Sequence, residues 1–408
     1  MSRAVPRRPP TAAANRIGLA LAGGGPEGAI YEIGALRALD EAVDGLDLNA
    51  LQVYVGVSAG AFIAANLANQ LSTAQMCRAI VKDEPGEHPF LPETFLQPAF
   101  GELWRSGASL PRLAGETLLE WARNPGDGGV SAALLRLTRA LPVGLLDNEP
   151  IREYLAHIYR LKGRTDDFRE LRHRLVVVAA HLETGEAVRF GEPGYDHVPI
   201  SLAVQASMAL PGLYPPVEID GRHHVDGVLL KTLHASVALD AGARLVLCIN
   251  PIVPVDLHSG DGAAFGRLAD RGLPSVLSQT FRTLIHSRLQ VGLASYGKRY
   301  RGADVVLLEP RRDDYRMFFT NIFTFSSRKA VCEHAYQATR ADLLARFEEL
   351  EPVFRRHGLT LRRDVLEDAG RSMWRGVGLP DAPRRGGKSA RTLDRLTVDL
   401  DRLEALIG

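Results

Sequence analysis

Residues 18–39 read GLALAGGGPEGAIYEIGALRAL. A run of small apolar residues ends in three glycines, and apolar residues at helical spacing follow over residues 29–42. The order predicts a buried strand, a glycine loop and a helix. The start of a helix carries unpaired N–H groups and the positive end of the helix dipole, so such a loop binds negative charge. The anion is either a bound phosphate or a charge that exists only during a reaction.

The same strand–loop–helix order recurs at residues 51–71, and further buried strands are predicted at 174–180, 243–249 and 304–308. Strands that alternate with helices favour parallel pairing and right-handed crossovers. We therefore predict an α/β fold, a three-layer sandwich with a mostly parallel central sheet.

The expected organisation is one large α/β domain at residues 16–356, preceded by a disordered arm at 1–15. Prolines, a glycine-rich break and short amphipathic patterns indicate a helical cap insertion over about 84–150. Residues 357–408 are expected to form a linker and a helical C-terminal tail.

Composition narrows the classes of function. The formal net charge is +1, which gives no sign of nucleic-acid binding, and three scattered cysteines form neither a disulfide framework nor a metal-binding pattern. The first residues, MSRAVPRRPPTAAANR, contain no apolar signal-peptide core, and no apolar run reaches the length of a membrane span. We expect a cytoplasmic protein without cofactor or metal, while secretion that uses no cleavable signal stays open.

The glycine loop admits a dinucleotide interpretation. Gly23, Gly25 and Gly28 match the G-x-G-x-x-G spacing between a strand and a helix. That fingerprint also needs an acidic residue at the end of the second strand to bind the ribose, and this strand ends in Tyr54-Val55-Gly56. The missing acid argues against a dinucleotide site.

A second motif, Gly56-Val57-Ser58-Ala59-Gly60, follows the second strand directly. Between a strand and a helix, G-x-S-x-G forms a sharp turn that exposes the serine hydroxyl; the alternative is a serine that only caps the helix. If the first two strands are neighbours, the amides of Gly24, Gly25 and Ala59 converge at one edge of the sheet. Such donors stabilise the oxyanion of acyl transfer, so we predict a transient charge in the loop.

A serine nucleophile needs a base, and two kinds of side chain compete for that role. His223 and His224 precede Asp226, and alternation along a strand puts His224 and Asp226 on the same face. Asp226 can accept the serine proton directly, or it can be an ordinary turn aspartate.

Together these motifs resemble the patatin-like phospholipases, a family of serine–aspartate lipid acyl hydrolases. The resemblance rests on the glycine loop 23–28, the serine motif 56–60, Asp226-Gly227, and two supporting stretches, LETGEAVRF (182–190) and ASMALPGLYPPV (206–217). It implies Ser58 as nucleophile, Asp226 as general base, no catalytic histidine or metal, and a lipid or acyl-ester substrate. It also implies an oxyanion hole built from Gly23, Gly24, Gly25 and Gly28, together with Ala59.

Two positions depart from the family pattern. The family's loop usually carries Arg or Lys before its last glycine, where this chain has Glu27, and Val228 replaces a usual glycine. A carboxylate beside the loop disfavours negative charge. The alternative function is therefore a catalytically impaired patatin-like protein that binds lipid or a partner.

Two further segments have candidate roles. Residues 88–104, HPFLPETFLQPAFGELW, are apolar enough either to pack on the core as a cap or to make peripheral membrane contact. Within 391–407, Leu393, Leu396, Leu400 and Leu403 follow a heptad spacing over two heptads, which is suited to association with the chain itself or with a partner.

Overall fold

The computed structural model describes residues 16–81, 99, 143–258, 266–315 and 325–378. The N-terminal arm, most of the cap insertion with residues 88–104, and the heptad segment 391–407 lie outside the described residues. The predictions made for those segments remain predictions.

Ten strands and eleven helices lie within the described ranges. The strands are β1 (Ile17–Leu21), β2 (Val43–Asp44), β3 (Val53–Val57), β4 (Arg174–His181), β5 (Ala187–Phe190), β6 (Val217–Ile219), β7 (Arg222–Asp226), β8 (Leu245–Ile249), β9 (Asp304–Leu308) and β10 (Thr360–Leu361). The helices are α1 (Gly25–Ala42), α2 (Ala59–Ala68), α3 (Thr73–Val81), α4 (Glu149–Tyr159), α5 (Ile200–Ser207), α6 (Ala235–Asp240), α7 (Leu273–Arg299), α8 (Phe325–Ala345), α9 (Phe347–Arg356), α10 (Arg363–Glu367) and α11 (Met373–Gly376).

The central sheet has the strand order β6-β7-β4-β3-β1-β8-β9, with β5 paired to β4. Strands β4, β3, β1, β8 and β9 run parallel, while β5, β6 and β7 add antiparallel hairpins at one side. The prediction of a mostly parallel sheet is confirmed. The first two predicted strands, β1 and β3, are direct neighbours, with Leu21 opposite Gly56.

Side-chain alternation along β1 divides the core between the two faces of the sheet. Ile17, Leu19 and Leu21 point into a core shared with α1, α2 and α8, whereas Ala20 points into a second core shared with α6 and α7. Helices therefore cover both faces, and the predicted three-layer sandwich is confirmed.

Helix α1 begins at Gly25, four residues before the start predicted at residue 29. Pro26 occupies the first turn, where its missing N–H leaves no helical hydrogen bond unmade and its fixed φ suits the helix. The second half of the glycine loop is thus already helical.

Residues 360–377, which the sequence analysis assigned to the C-terminal tail, pack into the main core. Strand β10 pairs antiparallel with β2, and Leu361, Met373 and Trp374 are fully buried beside α1 and α8. The packed part of the chain therefore extends beyond residue 356. Within the described ranges no helix combines the length and the apolarity that a membrane span requires.

Candidate active site

Two strand-to-helix turns meet at the carboxyl edge of the sheet. One turn leads from β1 through the glycine loop into α1, and the other leads from β3 through Ser58 into α2. The amide of Gly60 donates a hydrogen bond of 3.0 Å to the carbonyl oxygen of Ala22, which ties the two turns together. A Cβ atom on Gly60 would lie 2.4 Å from that oxygen, so only glycine permits this approach.

Ser58 occupies a sharp, strained turn. Its backbone angles are φ 53° and ψ −125°, a region that residues other than glycine rarely adopt and that often marks functional positions. The Ser58 amide donates to the hydroxyl of Ser207 at 2.8 Å, and that hydroxyl donates to the carbonyl oxygen of Val178 at 2.6 Å. Helix α5 and strand β4 therefore hold the serine turn in its strained form.

Asp226 ends β7 and is almost completely buried, with 2% of its surface exposed. Its carboxyl group interacts with the Ser58 side chain and accepts a hydrogen bond of 2.9 Å from the amide of Val228. Burial raises the pKa of Asp226 to about 7, although the Ser58 side chain and the Val228 amide oppose this rise. The carboxyl group therefore changes its charge near neutral pH beside a serine that lines the same cavity.

A cavity of about 460 Å³ opens onto this pair. Gly24 and Gly25 lie on its wall beside Ser58 and Asp226, and Arg282 and other cations approach it from α7 and the loop after β7. Much of the remaining wall is aliphatic or aromatic: Leu210, Leu229, Leu230, Ile252, Phe281, Leu284 and Ile285. The volume and the mainly apolar wall are those of a site for a small organic ligand or an acyl chain.

The predicted oxyanion-hole residues do not all have free amides. Among the residues that the structure describes, the N–H groups of Gly24, Gly25 and Ala59 make no backbone hydrogen bond outside the regular elements, and each stands at a helix start. The amide of Gly28 instead donates to the carbonyl oxygen of Gly24 at 2.9 Å in the first turn of α1. Gly28 therefore cannot offer its amide to a charge in the cavity. Gly23 is buried beside Ser58.

The candidate histidines lie elsewhere. His224 is buried against Phe190 and His181, with ring centroids 5.5 and 5.7 Å apart, and burial lowers its pKa. His223 is exposed and bonds through Nδ1 to Glu183 at 2.9 Å. Neither histidine lines the cavity that contains Ser58. In the described part of the chain no group of three or more His, Cys, Asp or Glu side chains could hold a metal ion.

Comparison with known families agrees with this geometry. The model of the patatin-like phospholipases matches residues 19–239, slightly more than half of the chain. The chain belongs to the patatin-like phospholipase family. The resemblance inferred from the glycine loop, the serine motif and Asp226 is thereby confirmed, and with it membership of a family of lipid hydrolases.

Several solved structures resemble this patatin-like chain at low identity. VipD from Legionella pneumophila is 15% identical with a TM-score of 0.36, and the match covers 85% of this chain and 71% of VipD. The type III effector ExoU of Pseudomonas aeruginosa is 16% identical with a TM-score of 0.34, over 83% of this chain and 54% of ExoU. Human GIVD cytosolic phospholipase A2 is 15% identical with a TM-score of 0.25, over 58% of this chain and 41% of the human protein. The chain thus spans about half the length of the ExoU structure.

The sequence analysis of this patatin-like domain missed two contributions to the site. Ser207 lies in the stretch 206–217 that supported the resemblance, but nothing local indicated that it bonds the Ser58 amide. Helix α7 supplies Phe281 and Arg282 to the cavity, and no motif in the sequence linked this segment to the site. The absence of Asp and Glu from this helix was the sequence feature that could have drawn attention to it.

We expect Asp226→Asn to stabilise the protein more at pH 8 than at pH 5. The pKa of Asp226 is raised from an ordinary value near 4 to about 7 by folding, so its contribution to stability is present at low pH and is lost as pH rises through 7. Removing the charge should therefore increase the free energy of unfolding by about 2 kcal/mol more at pH 8 than at pH 5. Urea unfolding at both pH values measures this difference. Exposed Asp270→Asn is the control, and an equal effect of the two substitutions would contradict the account.

Proposed function

We propose that the protein hydrolyses carboxylic esters of phospholipids or other acyl lipids, with Ser58 as nucleophile and Asp226 as general base. The observation that carries this proposal is the placement of Ser58, in a strained strand-to-helix turn, and of the buried Asp226 carboxyl group on the wall of one largely apolar cavity. Membership of the patatin-like phospholipases supports the same reaction class.

The first step is acyl transfer to Ser58. The Ser58 hydroxyl attacks the ester carbonyl as Asp226 accepts its proton, so that a tetrahedral oxyanion forms. A pKa near 7 suits this role, since the carboxylate is ionised in part at neutral pH and still basic enough to take the proton. The strained turn presents the hydroxyl to the cavity.

The oxyanion is stabilised by the amides of Gly24, Gly25 and Ala59, which stand at the positive ends of α1 and α2. Gly23 contributes by its small size, because a Cβ atom there would lie 3.2 Å from both Ser58 Cβ and Val228 Cγ2. Each such donor typically contributes about a hundredfold to the rate.

Collapse of the intermediate releases the alcohol or lysolipid, which takes the proton from Asp226. Asp226 then removes a proton from water as the water attacks the acyl-enzyme carbonyl. The second tetrahedral intermediate collapses with cleavage of the bond to Ser58 Oγ, which takes the proton back from Asp226, and the fatty acid leaves. The apolar wall formed by Leu210, Ile252 and Ile285 suits the acyl chain.

Glu27 works against the proposed reaction and favours the second candidate function, a catalytically impaired protein that binds lipid or a partner. It lies two residues after Gly25, and burial raises its pKa to about 7, although the positive charge of Arg282 opposes the rise. A protonated Glu27 leaves the loop neutral, whereas an ionised Glu27 repels the oxyanion. The charge of Glu27 therefore sets how far the site is active above neutral pH.

Hydrolysis of p-nitrophenyl esters tests the proposed pair. Ser58→Ala and Asp226→Asn are each expected to reduce kcat/KM by about a thousandfold or more, since they remove the nucleophile and the base. Ser278→Ala is a matched control because Ser278 lines the same cavity, and it should keep activity within about tenfold. Activity that survives in Ser58→Ala would exclude the proposed nucleophile, and a folded wild type without activity would favour the binding protein.

We expect Glu27→Gln to raise kcat/KM severalfold above pH 7 and to change it little at pH 6. In the wild type, activity rises as Asp226 ionises through pH 7, but Glu27 ionises in the same range and opposes the oxyanion. A pH–rate profile of both proteins, with exposed Glu218→Gln as control, measures the difference. A profile unchanged by Glu27→Gln would show that this carboxylate does not reach the reaction.

A further inference from the structure

Helix α7 has an apolar side facing the core and a second apolar side facing solvent. Ile285, Leu289 and Tyr296 are buried against the sheet. An adjacent side of the helix exposes large apolar side chains, each 46–72% accessible: Leu273, Leu277, Phe281, Leu284 and Val291. Their spacing of three, four and seven residues places them along one stripe about 27 Å long. We call these five residues the outer stripe of α7.

Charge on α7 has a single sign. The helix has 27 residues and contains no Asp or Glu, although the whole chain has a net charge of only +1. By helical spacing, exposed Arg288 and Lys298 lie on the same side as the outer stripe. Arg299 lies there too and pairs with Asp240 at 3.7 Å. A solvent-facing apolar stripe on a helix whose charged side chains are all cationic matches the composition of helices that lie on anionic lipid.

The outer stripe continues into the candidate active site. Phe281, Leu284 and Arg288 also line the cavity that contains Ser58. Leu213, three residues beyond the cavity-lining Leu210, is a further exposed apolar side chain near that cavity. An acyl chain that enters along the stripe thus stays in contact with apolar side chains from the surface to the serine.

We propose that the outer stripe of α7 docks on an anionic lipid bilayer, with the helix parallel to the membrane plane and the cavity mouth against the lipid. The apolar side chains enter the boundary between head groups and acyl chains, and Arg288 and Lys298 contact lipid phosphates. This inference deepens the proposed function, on which it rests for the identity of the cavity. A second copy of the chain is a poorer occupant, because a symmetric contact would bring cationic helices together.

Vesicle flotation tests the docking surface in a Ser58→Ala background, where lipid is not consumed. The Ser58→Ala protein with an unchanged outer stripe should bind phosphatidylcholine vesicles that contain phosphatidylserine more tightly than pure phosphatidylcholine vesicles, and added salt should weaken this binding. The combined variant Leu273→Gln, Leu277→Gln and Val291→Gln leaves the cavity wall intact and should bind these vesicles at least about tenfold more weakly. The matched control is Leu161→Gln with Leu182→Gln, two exposed leucines outside α7.

Activity with the native Ser58 separates this inference from the proposed function. The stripe variant should hydrolyse a short-chain dissolved ester at the wild-type rate and vesicle lipid more slowly. Stripe-dependent vesicle binding without any ester hydrolysis would support docking and reject the hydrolase. Vesicle binding that the stripe variant retains in full, or no binding by the parent protein, would overturn the docking surface. A dimer dissociated by the stripe variant, with vesicle binding unchanged, would assign the stripe to a second copy instead.

Discussion

The hydrogen bond from the Gly60 amide to the Ala22 carbonyl oxygen holds together the two turns on which the candidate site depends. It exists because β1 and β3 are parallel neighbours and because residue 60 has no Cβ atom. Through it, the serine turn and the glycine loop take a fixed relative position at one edge of the sheet. In the proposed reaction this arrangement would place the amides of Gly24, Gly25 and Ala59 beside Ser58 before any substrate arrives, as oxyanion stabilisation requires.

Function and stability oppose one another at Asp226. The carboxyl group is buried at the end of an antiparallel strand, where ionisation is costly, and within the described residues it accepts a hydrogen bond from the Val228 amide. The same burial keeps its pKa near neutrality, which suits the role of base that we propose for it. The strained turn at Ser58 also costs stability, because the Ser207 hydroxyl and the packing of α5 maintain a backbone conformation that a free chain would avoid.

Local patterns predicted much of the fold and the core of the site. The strand, loop and helix around Gly23–Gly28, the turn at Ser58 and the position of Asp226 are each encoded within a few residues, so periodicity and motif spacing were sufficient. Contacts between distant parts of the chain were not predictable in this way. Ser207 bonds a residue 149 positions away, β10 pairs with β2 across more than 300 residues, and the cavity wall from α7 depends on how that helix crosses the sheet. Helix α1 starts earlier than predicted, and its first turn uses the Gly28 amide in a helical hydrogen bond. The sequence did not reveal this because helix boundaries are the least certain feature of a sequence pattern.

The most direct measurement is covalent labelling with an alkyl fluorophosphonate, followed by mass spectrometry of the peptides. The reagent reacts only with a serine whose hydroxyl is activated, and its tetrahedral adduct mimics the acyl-transfer intermediate. Our account predicts one adduct per chain, on Ser58, and much slower labelling when Asp226 is replaced by Asn. An adduct on another serine, or labelling of Ser58 at an unchanged rate without Asp226, would contradict it.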